Sequence, residues 1–378
     1  MTERPAVDVV VVGGGIAGCA AAYNLASRGL GVLLVEKGLV GAGASGVNFG
    51  GVRQQGRHYA ELPLARRSRE IWSRLAEAIG TDGEFVASGH LKIAFSETDM
   101  AELEGYSRGA RDHGLHLELV GRNRVTEDHP WLGPEVHGAS LCAEDGTANP
   151  RIVAPAFAAA ARGHGARILE HRRVDRVAHD GERFRIMCAD GMEIGSTWLI
   201  NCAGAWAGAI AASFGEPVPL TAIAPNCMVT EAVPAFMDRS IGICGGGVAI
   251  RQTANGNVVI GGGESHVDFA AGRAHPRTVT CRGVLRRAVR VVPRLAHIGV
   301  VRAWAGVEGD MPDHLPVIGS SATTDRLVHA FGFSQHGFQL GPAVGEAIAD
   351  LVTSGRTRID VSGLAINRSS LQATATVV

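Results

Sequence analysis

The sequence lacks an excess of charge of either sign. Its 378 residues include 36 lysines and arginines against 37 aspartates and glutamates, which gives a formal net charge of −1 at pH 7. Proteins that bind nucleic acid generally carry a basic surface that attracts phosphate groups. The balance therefore argues against nucleic acid as a partner. The hydrophobic fraction of 46% is typical of a globular protein.

Paired cysteines and long apolar runs are missing as well. The seven cysteines form neither a C-x-x-C pair nor a metal-ligand spacing, and they are Cys19, Cys142, Cys188, Cys202, Cys227, Cys244 and Cys281. We expect these cysteines to be reduced and to pack as small, buried apolar side chains, and we expect them to bind no metal. The charged segment before Asp8 lacks a signal-peptide cleavage pattern, and no run is long enough to span a bilayer. These absences predict a cytoplasmic protein without a membrane partner.

The most informative segment is a glycine-rich turn after the first strand. Four valines at residues 9–12 lead into the G-x-G-x-x-G pattern of Gly13, Gly15 and Gly18, and a helix-prone segment follows. Gly13 permits a tight turn, Gly15 lets the backbone approach a pyrophosphate, and Gly18 lets the helix pack closely on the strand. The second apolar strand ends at Glu36, whose carboxylate can accept hydrogen bonds from a ribose. Together they predict dinucleotide binding at a helix N-terminus, with FAD and NAD both open at this point.

Strands and helices alternate through most of the chain. Apolar periodicity predicts helices over residues 62–79, 97–113, 154–163 and 341–353. Residues 217–301 differ, because they form short β-rich segments joined by turns, including a hairpin at Asn255-Gly256.

This organisation predicts a mixed α/β protein of about two domains. We assign residues 1–84, 141–213 and 302–366 to a discontinuous Rossmann-like nucleotide-binding domain, and residues 85–140 and 214–301 to a sheet-based substrate domain. Residues 367–378 are rich in serine, threonine and alanine, and we expect them to be disordered.

Three further segments resemble flavoproteins. Residues 199–206 (LINCAGAW) are similar to the second nucleotide-contact motif of two-dinucleotide-fold flavoproteins. Residues 304–319 resemble the segment near the isoalloxazine ring in the D-amino-acid oxidase superfamily, and residues 332–340 (GFSQHGFQL) resemble that superfamily's G-F-S-x-H-G-F stretch. Residues 46–72, with Arg53, resemble monomeric sarcosine oxidase and glycine oxidase. The resemblance extends to about residue 352 and implies FAD, with a large, mostly antiparallel sheet in the substrate domain.

The resemblance implies cofactor contacts residue by residue. The ADP half of FAD is expected near Gly13, Gly15, Ile16, Ala17, Gly18, Glu36, Lys37, Ala44, Ser45, Val174, Ala203, Gly204 and Trp206. The flavin is expected near Gly306, Gly337, Phe338 and Gln339. Val174 and Trp206 could equally be core residues.

Substrate contacts follow from the same comparison. Arg53 occupies the position of the arginine that binds the substrate carboxylate, and the forked guanidinium suits a carboxylate. The alternative is a surface arginine, which the apolar, glycine-rich neighbouring sequence argues against. His336 is expected as a neutral imidazole near the flavin, with a buried structural histidine as the alternative. Gln339 replaces a carboxylate-binding lysine, and Arg302 and Arg251 are further basic candidates. Glu308, where glycine oxidases place an arginine, could meet a substrate amine or lie solvated on a loop.

The chain also departs from its relatives. The cysteine and histidine that tether flavin elsewhere are absent near Gly306 and Phe49, so we expect non-covalent FAD. The oxygen-activating lysine of sarcosine oxidases is missing near residues 258–260, which leaves oxidase and dehydrogenase open.

We therefore expect hydride transfer from a glycine-type or N-carboxymethyl amine to flavin, with O2 as the electron acceptor and glyoxylate as a product. An opine- or proline-type dehydrogenase is the alternative within the family. An NAD-dependent dehydrogenase and a non-catalytic flavin-binding subunit are alternatives from other classes. A homodimer is compatible with the sequence.

Overall fold

The computed structural model describes residues 6–372. Its strands are β1 (Ala6–Val12), β2 (Val32–Val35), β3 (Gly51–Val52), β4 (His90–Ala94), β5 (Glu118–Gly121), β6 (Gly138–Cys142), β7 (Gly146–Thr147), β8 (Arg167–Leu169), β9 (Val174–His179), β10 (Phe184–Cys188), β11 (Glu193–Asn201), β12 (Thr221–Ile223), β13 (Pro225–Ala232), β14 (Ser240–Ile243), β15 (Ala249–Gln252), β16 (Asn257–Glu264), β17 (His266–Asp268), β18 (Arg273–His275), β19 (Val300–Ala305), β20 (Glu308–Asp310), β21 (Val317–Ser320) and β22 (Leu327–Phe331). Its α-helices are α1 (Ile16–Ser27), α2 (Ala44–Val47), α3 (Leu62–Ser73), α4 (Leu75–Ile79), α5 (Glu97–Asp112), α6 (Arg122–Asp128), α7 (Pro150–Gly163), α8 (Ala207–Ser213), α9 (Thr278–Val291), α10 (Gly337–Ser354) and α11 (Ser369–Gln372). Within residues 6–372, no helix has the length and apolar character needed to cross a membrane.

The first large sheet is built around β1. Its order is β21-β22-β11-β1-β2-β8, with β10 and β9 added antiparallel next to β11. β1 pairs in parallel with β2 and β11, and the valines of β1 at positions 9–12 are buried. Parallel strands that are covered on both faces need continuous apolar sequence, which β1 and β2 supply. The predicted Rossmann-like arrangement is confirmed.

Close packing of α10 on α1 positions the amino ends of both helices. A Cβ on Gly341 would lie 2.6 Å from the Ile16 side chain, and one on Gly345 would lie 2.4 Å from the Ala20 backbone. The two glycines therefore let the helices cross at short distance, where larger side chains would separate them. Residues at both amino ends line the cavity described below.

The second large sheet has the order β19-β13-β16-β15-β14-β4-β6-β5. Neighbouring strands are antiparallel except for the parallel pair of β14 and β4. Helix α9 covers one face, with Val284 and Ala288 in a core cluster with Ile250 and Ile260. The predicted mostly antiparallel sheet is confirmed. The domain boundaries expected at residues 141 and 302 fall inside β6 and β19, both of which belong to this sheet.

Two local predictions are wrong in part. The helix expected over residues 62–79 is interrupted at Arg74, whose φ of −123° and ψ of 21° leave the helical region, so α3 and α4 are separate. Residues 368–372 are also ordered, because Arg368 forms a two-pronged ion pair with Asp313 and Leu371 is buried. The rest of the tail expected to be disordered, residues 373–378, lies outside the described residues.

Candidate active site

A cavity of about 1510 Å³ is lined by residues of both large sheets. It runs from the turn after β1 to the polar side chains of β4, and its wall includes Gly13, Trp206, Gly337 and Arg53. A site for one small ligand typically measures about 300–1,000 Å³. The volume therefore suits a dinucleotide together with a small substrate.

The glycine turn forms one end of this cavity. Gly13 has a φ of +106°, and a Cβ there would lie 2.2 Å from the carbonyl oxygen of Cys202. A Cβ on Gly18 would lie 2.0 Å from the Gly13 carbonyl oxygen, whereas one on Gly15 would meet only the Ser45 hydroxyl, at 3.1 Å. The backbone at Gly15 is therefore open to a ligand. Gly18 has the packing role expected for it and does not line the cavity.

The start of α1 is held by Ser45. The Ser45 hydroxyl accepts a hydrogen bond from the Ile16 N–H at 2.9 Å, and Ile16, Ala17 and Ala44 line the cavity beside it. A helix N-terminus carries partial positive charge and attracts a phosphate group. This end of the cavity therefore fits a pyrophosphate.

Glu36 is fixed at the end of β2 by two backbone donors. The N–H groups of Gly14 and Gly38 donate to Oε2 and Oε1, each at 2.7 Å. Each carboxylate oxygen retains a second acceptor position. Because Glu36 lines the cavity, those positions fit the two hydroxyls of a ribose.

Lys37 and Trp206 lie beside Glu36. The Lys37 ammonium lies over the Trp206 ring, which stacks on Phe269 with 5.3 Å between centroids. Burial lowers the pKa of Lys37 to about 8. Val174 lines the same end, as do Ala203 and the left-handed Gly204. Apart from Gly18, the residues expected around the ADP half therefore line the same cavity.

The opposite end combines α10 with the loop after β3. Arg53, His336, Gly337, Phe338 and Gly306 all line it. The Arg53 guanidinium donates from Nη1 to the Gln55 carbonyl, and the loop is held because Asp145 accepts the N–H groups of Gln54 and Gln55.

Three of the expected substrate residues do not line the cavity. Gln339 is fully buried against α3, where its amide donates to the Ala65 carbonyl at 2.8 Å. The Gln339 side chain therefore faces α3. The prediction that Gln339 takes the place of the carboxylate-binding lysine in the substrate pocket is wrong. Arg302 is exposed on β19, at the edge of its sheet and outside the cavity wall. Arg251 is also outside the cavity wall, and its Nε donates to the Phe49 carbonyl at 2.7 Å.

His336 is partly exposed and pairs with a buried carboxylate. Its Nδ1 lies 2.9 Å from a carboxylate oxygen of Glu61, which has no exposed surface. Burial, together with the charge of Arg57, lowers the pKa of His336 to about 4 despite Glu61. The imidazole is therefore neutral at pH 7 and donates Nδ1–H to Glu61, which leaves Nε2 as an acceptor.

Glu308 lies on the cavity wall at the start of β20. Its carboxylate accepts the N–H of Gln335 at 2.7 Å. Burial, reinforced by the charge of Asp310, raises the pKa of Glu308 to about 7. Of the two positions considered for it, the structure selects the cavity wall over a solvated loop.

Sequence reasoning missed three basic residues in this end of the cavity: Arg57, His90 and Lys92. Arg57 follows Arg53 by four residues in a loop, where the sequence has no helical or strand periodicity from which the direction of a side chain could be predicted. His90 and Lys92 are separated by one residue on β4, and that spacing places both side chains on one face of the strand.

Comparison with known proteins gives consistent matches over almost the whole chain. A family model described as FAD dependent oxidoreductase matches residues 8–351. Glycine oxidase from Geobacillus kaustophilus (strain HTA426) is 27% identical over 379 residues, covering 97% of this chain and 98% of the relative. Glycine oxidase from Bacillus subtilis (strain 168) is 26% identical over 363 residues, covering 93% and 95%. The crystal structure of L-proline dehydrogenase from P. horikoshii superposes with a TM-score of 0.89 at 27% identity, covering 97% and 98%.

Proposed function

Because the chain belongs to the family of FAD-dependent oxidoreductases, we propose that it oxidises the C–N bond of a glycine-type amine. The proposed substrates are N-substituted glycines, whose neutral amine loses a hydride (two electrons and one proton) and then a second proton to become an imine, which water hydrolyses to glyoxylate and a free amine. O2 is the proposed electron acceptor and yields hydrogen peroxide. The observation that carries the proposal is that Arg53 and Glu308 line the same cavity as the dinucleotide turn.

The cradle around the glycine turn fits FAD, which when bound supplies the acceptor for a hydride from the substrate α-carbon. Glu36 would hold the ribose hydroxyls, and the backbone at Gly15 with the start of α1 would hold the pyrophosphate. Gly337 and Phe338, at the amino end of α10, would lie along the flavin and favour negative charge there.

Arg53 would bind the substrate carboxylate. A guanidinium presents parallel N–H donors that match the two oxygens of a carboxylate, and such contacts are short and directional. Binding at this point would fix the α-carbon relative to the amino end of α10, which is the positioning on which hydride transfer depends.

Glu308 would accept the proton that an ammonium substrate must lose before it can give up a hydride. Its raised pKa places it near neutral pH, where a carboxylate is an effective general base. The free Nε2 of His336 would accept an N–H of the same amine and so help to orient its lone pair.

We also propose that FAD is bound non-covalently. Gly306 and Phe49, which occupy the segments where relatives attach flavin, line the cavity and carry no nucleophile. The nearest atom to a Cβ on Gly306 would be a methyl carbon of Val47, at 2.1 Å.

Anaerobic mixing with sarcosine and with N-carboxymethyl amines tests the proposal. The purified protein should be yellow, should release its flavin on denaturation, and should lose its flavin absorbance when the amine is added. Glyoxylate should form, and hydrogen peroxide should appear once O2 is admitted. An unchanged flavin spectrum with every carboxylate-bearing amine would refute the proposal.

A dehydrogenase that passes electrons to another acceptor is the second candidate. The observation in its favour is the segment expected to hold an oxygen-activating lysine, where Val258, Val259 and Ile260 are buried apolar residues of β16. Reduced enzyme that stays reduced in air but reacts rapidly with a quinone or dye would select this alternative.

Glu308→Gln should remove one limb of the pH profile. In the wild-type protein the carboxyl is protonated below pH 7 and ionised above it, so flavin reduction at saturating substrate should rise with pH through about 7. Glutamine cannot accept a proton, so flavin reduction at pH 7 should slow by about tenfold. The decrease is smaller than the rate usually lost with a general base, because some of the amine is already neutral in solution and needs no base. Rapid-mixing spectrophotometry across pH 5–10 measures this.

Asp310→Asn provides the matched control on the same strand. The charge of Asp310 contributes to the high pKa of Glu308, so its removal should move the limb to lower pH without abolishing it. A limb near pH 7 that survives in Glu308→Gln would assign the titration to another group.

A further inference from the structure

Arg57 carries a buried positive charge that forms no ion pair with any residue from 6 to 372. Its side chain is only 3% exposed, its Nε donates to the Arg53 carbonyl at 3.1 Å, and its Nη1 has no hydrogen-bond partner within residues 6–372. The two nearby carboxylates, Glu61 and Asp145, attract Arg57 but form their hydrogen bonds with other groups. Glu61 bonds to His336 and to the His58 N–H, and Asp145 accepts the backbone of the loop after β3.

A buried charge without a direct ion-pair partner is costly. Burial, reinforced by the charge of Arg53, lowers the pKa of Arg57 to about 9. Proteins keep buried charges when something pairs with them, since desolvation of an isolated ion is strongly unfavourable. Because Arg57 lines the cavity, an anionic group of a ligand bound there would lie close to its charge and compensate it.

Two other cations lie at the same end. A Cβ on Gly56 would lie 2.7 Å from Nη1 of Arg53 and 3.8 Å from Nζ of Lys92, so both charged groups lie next to Gly56. The only ion pair of Lys92 within residues 6–372 is with Glu102, at 3.6 Å, and the Glu102 side chain is 59% exposed. Solvent screens such a pair, which leaves Lys92 available to a ligand.

The charges of Arg53, Lys92 and Arg57 all act on His90. After burial, the charges of Arg53, Lys92 and Arg57 lower its pKa well below the ordinary value. Its Nδ1 lies 3.1 Å from the Ser240 hydroxyl, so the ring is a neutral hydrogen-bonding group on the same wall. Three cations therefore face this end of the cavity, and a carboxylate bound at Arg53 would pair directly with only one of them.

We propose that Arg57, assisted by Lys92, binds a second carboxylate of the substrate. The substrate class is then a secondary amine with a carboxylate on each nitrogen substituent, such as an N-carboxymethyl amino acid. This inference rests on the proposed oxidation of glycine-type amines and narrows it. Arg53 holds the carboxymethyl group that is oxidised, and Arg57 selects the group that leaves with the amine.

Binding of unreactive ligands tests the second subsite separately from the oxidation. Diglycolate has two carboxylates and an ether oxygen in place of the amine, and methoxyacetate has one carboxylate on the same skeleton. Titration of the oxidised holoenzyme, followed by the flavin spectrum or calorimetry, should show diglycolate binding about 10- to 100-fold more tightly. Equal dissociation constants in the wild-type protein would overturn the inference, whatever the enzyme oxidises.

Arg57→Met should abolish that preference and leave methoxyacetate binding unchanged, while Arg57→Lys should restore part of it. Arg66→Met removes one positive charge from an exposed position on α3 and should keep the full preference. A preference that persists in Arg57→Met would place the second carboxylate elsewhere. If diglycolate is preferred but no amine bleaches the flavin, the subsite stands and the proposed reaction fails.

Discussion

Gly13→Ala should yield a protein without bound FAD and with greatly reduced stability. The methyl group would lie 2.2 Å from the Cys202 carbonyl oxygen, and the φ of +106° is unfavourable for any L-residue with a side chain. The atoms nearest this methyl group belong to the backbone of Cys202 and Ala203, directly after β11. The clash can therefore be relieved only by moving β1 away from the end of β11. We expect a loss above about 4 kcal/mol, the range reached by severe core disruptions. Thermal unfolding and flavin absorbance measure it.

Gly29→Ala separates the clash from the backbone conformation. Gly29 has a φ of +85°, yet a Cβ there would have nothing within 4 Å. That variant should lose only about 1 kcal/mol and remain yellow, since the cost is conformational alone. A stable, yellow Gly13→Ala protein would show that the turn can move, and the assignment of this turn to the pyrophosphate would fail with it.

Arg53→Met should lower kcat/KM for carboxylate-bearing amines by about 10²-fold or more while the protein stays yellow. Removing one partner of a buried charged contact costs about 2–5 kcal/mol, and each 1.4 kcal/mol is a factor of ten. An amine in which the carboxylate is replaced by an amide should lose far less, because it never made the ion pair. Steady-state kinetics on the two substrates gives the comparison.

Arg53→Lys should recover part of the activity, because a lysine keeps the charge but lacks the fork. Arg66→Met, on the exposed face of α3, should behave as the wild-type protein. A colourless Arg53→Met protein would mean that Arg53 holds the cofactor, and an unchanged kcat/KM would place the carboxylate elsewhere.

The nucleotide end was predictable because each of its residues acts locally. Gly13, Gly15 and Gly18 have their roles within one turn, and Glu36 lies at the end of an adjacent parallel strand, so spacing along the chain determines spacing in the fold. The substrate end was less predictable. The direction of Gln339 depends on which face of α10 meets α3, and the position of Arg302 depends on β19 lying at the edge of its sheet.

Arg57 gave no signal for a different reason. A single arginine in a loop resembles any surface arginine until the fold buries it between Arg53, Glu61 and Tyr106. Glu308 was ambiguous in the same way, since only burial distinguishes a base near neutral pH from a solvated acid.

The strand order also determines how the chain can fold. In the first sheet β1 lies between β2 and β11, and Ala6 pairs with Gly195, so β1 can pair with β11 only after the whole first half of the chain is available. The second sheet joins β4 to β14 across a similar separation. Such long closures slow folding and make it a collective event. Neither sheet is encoded by a contiguous segment, so evolution can vary the pocket by exchanging loops but cannot transfer either half as an independent module.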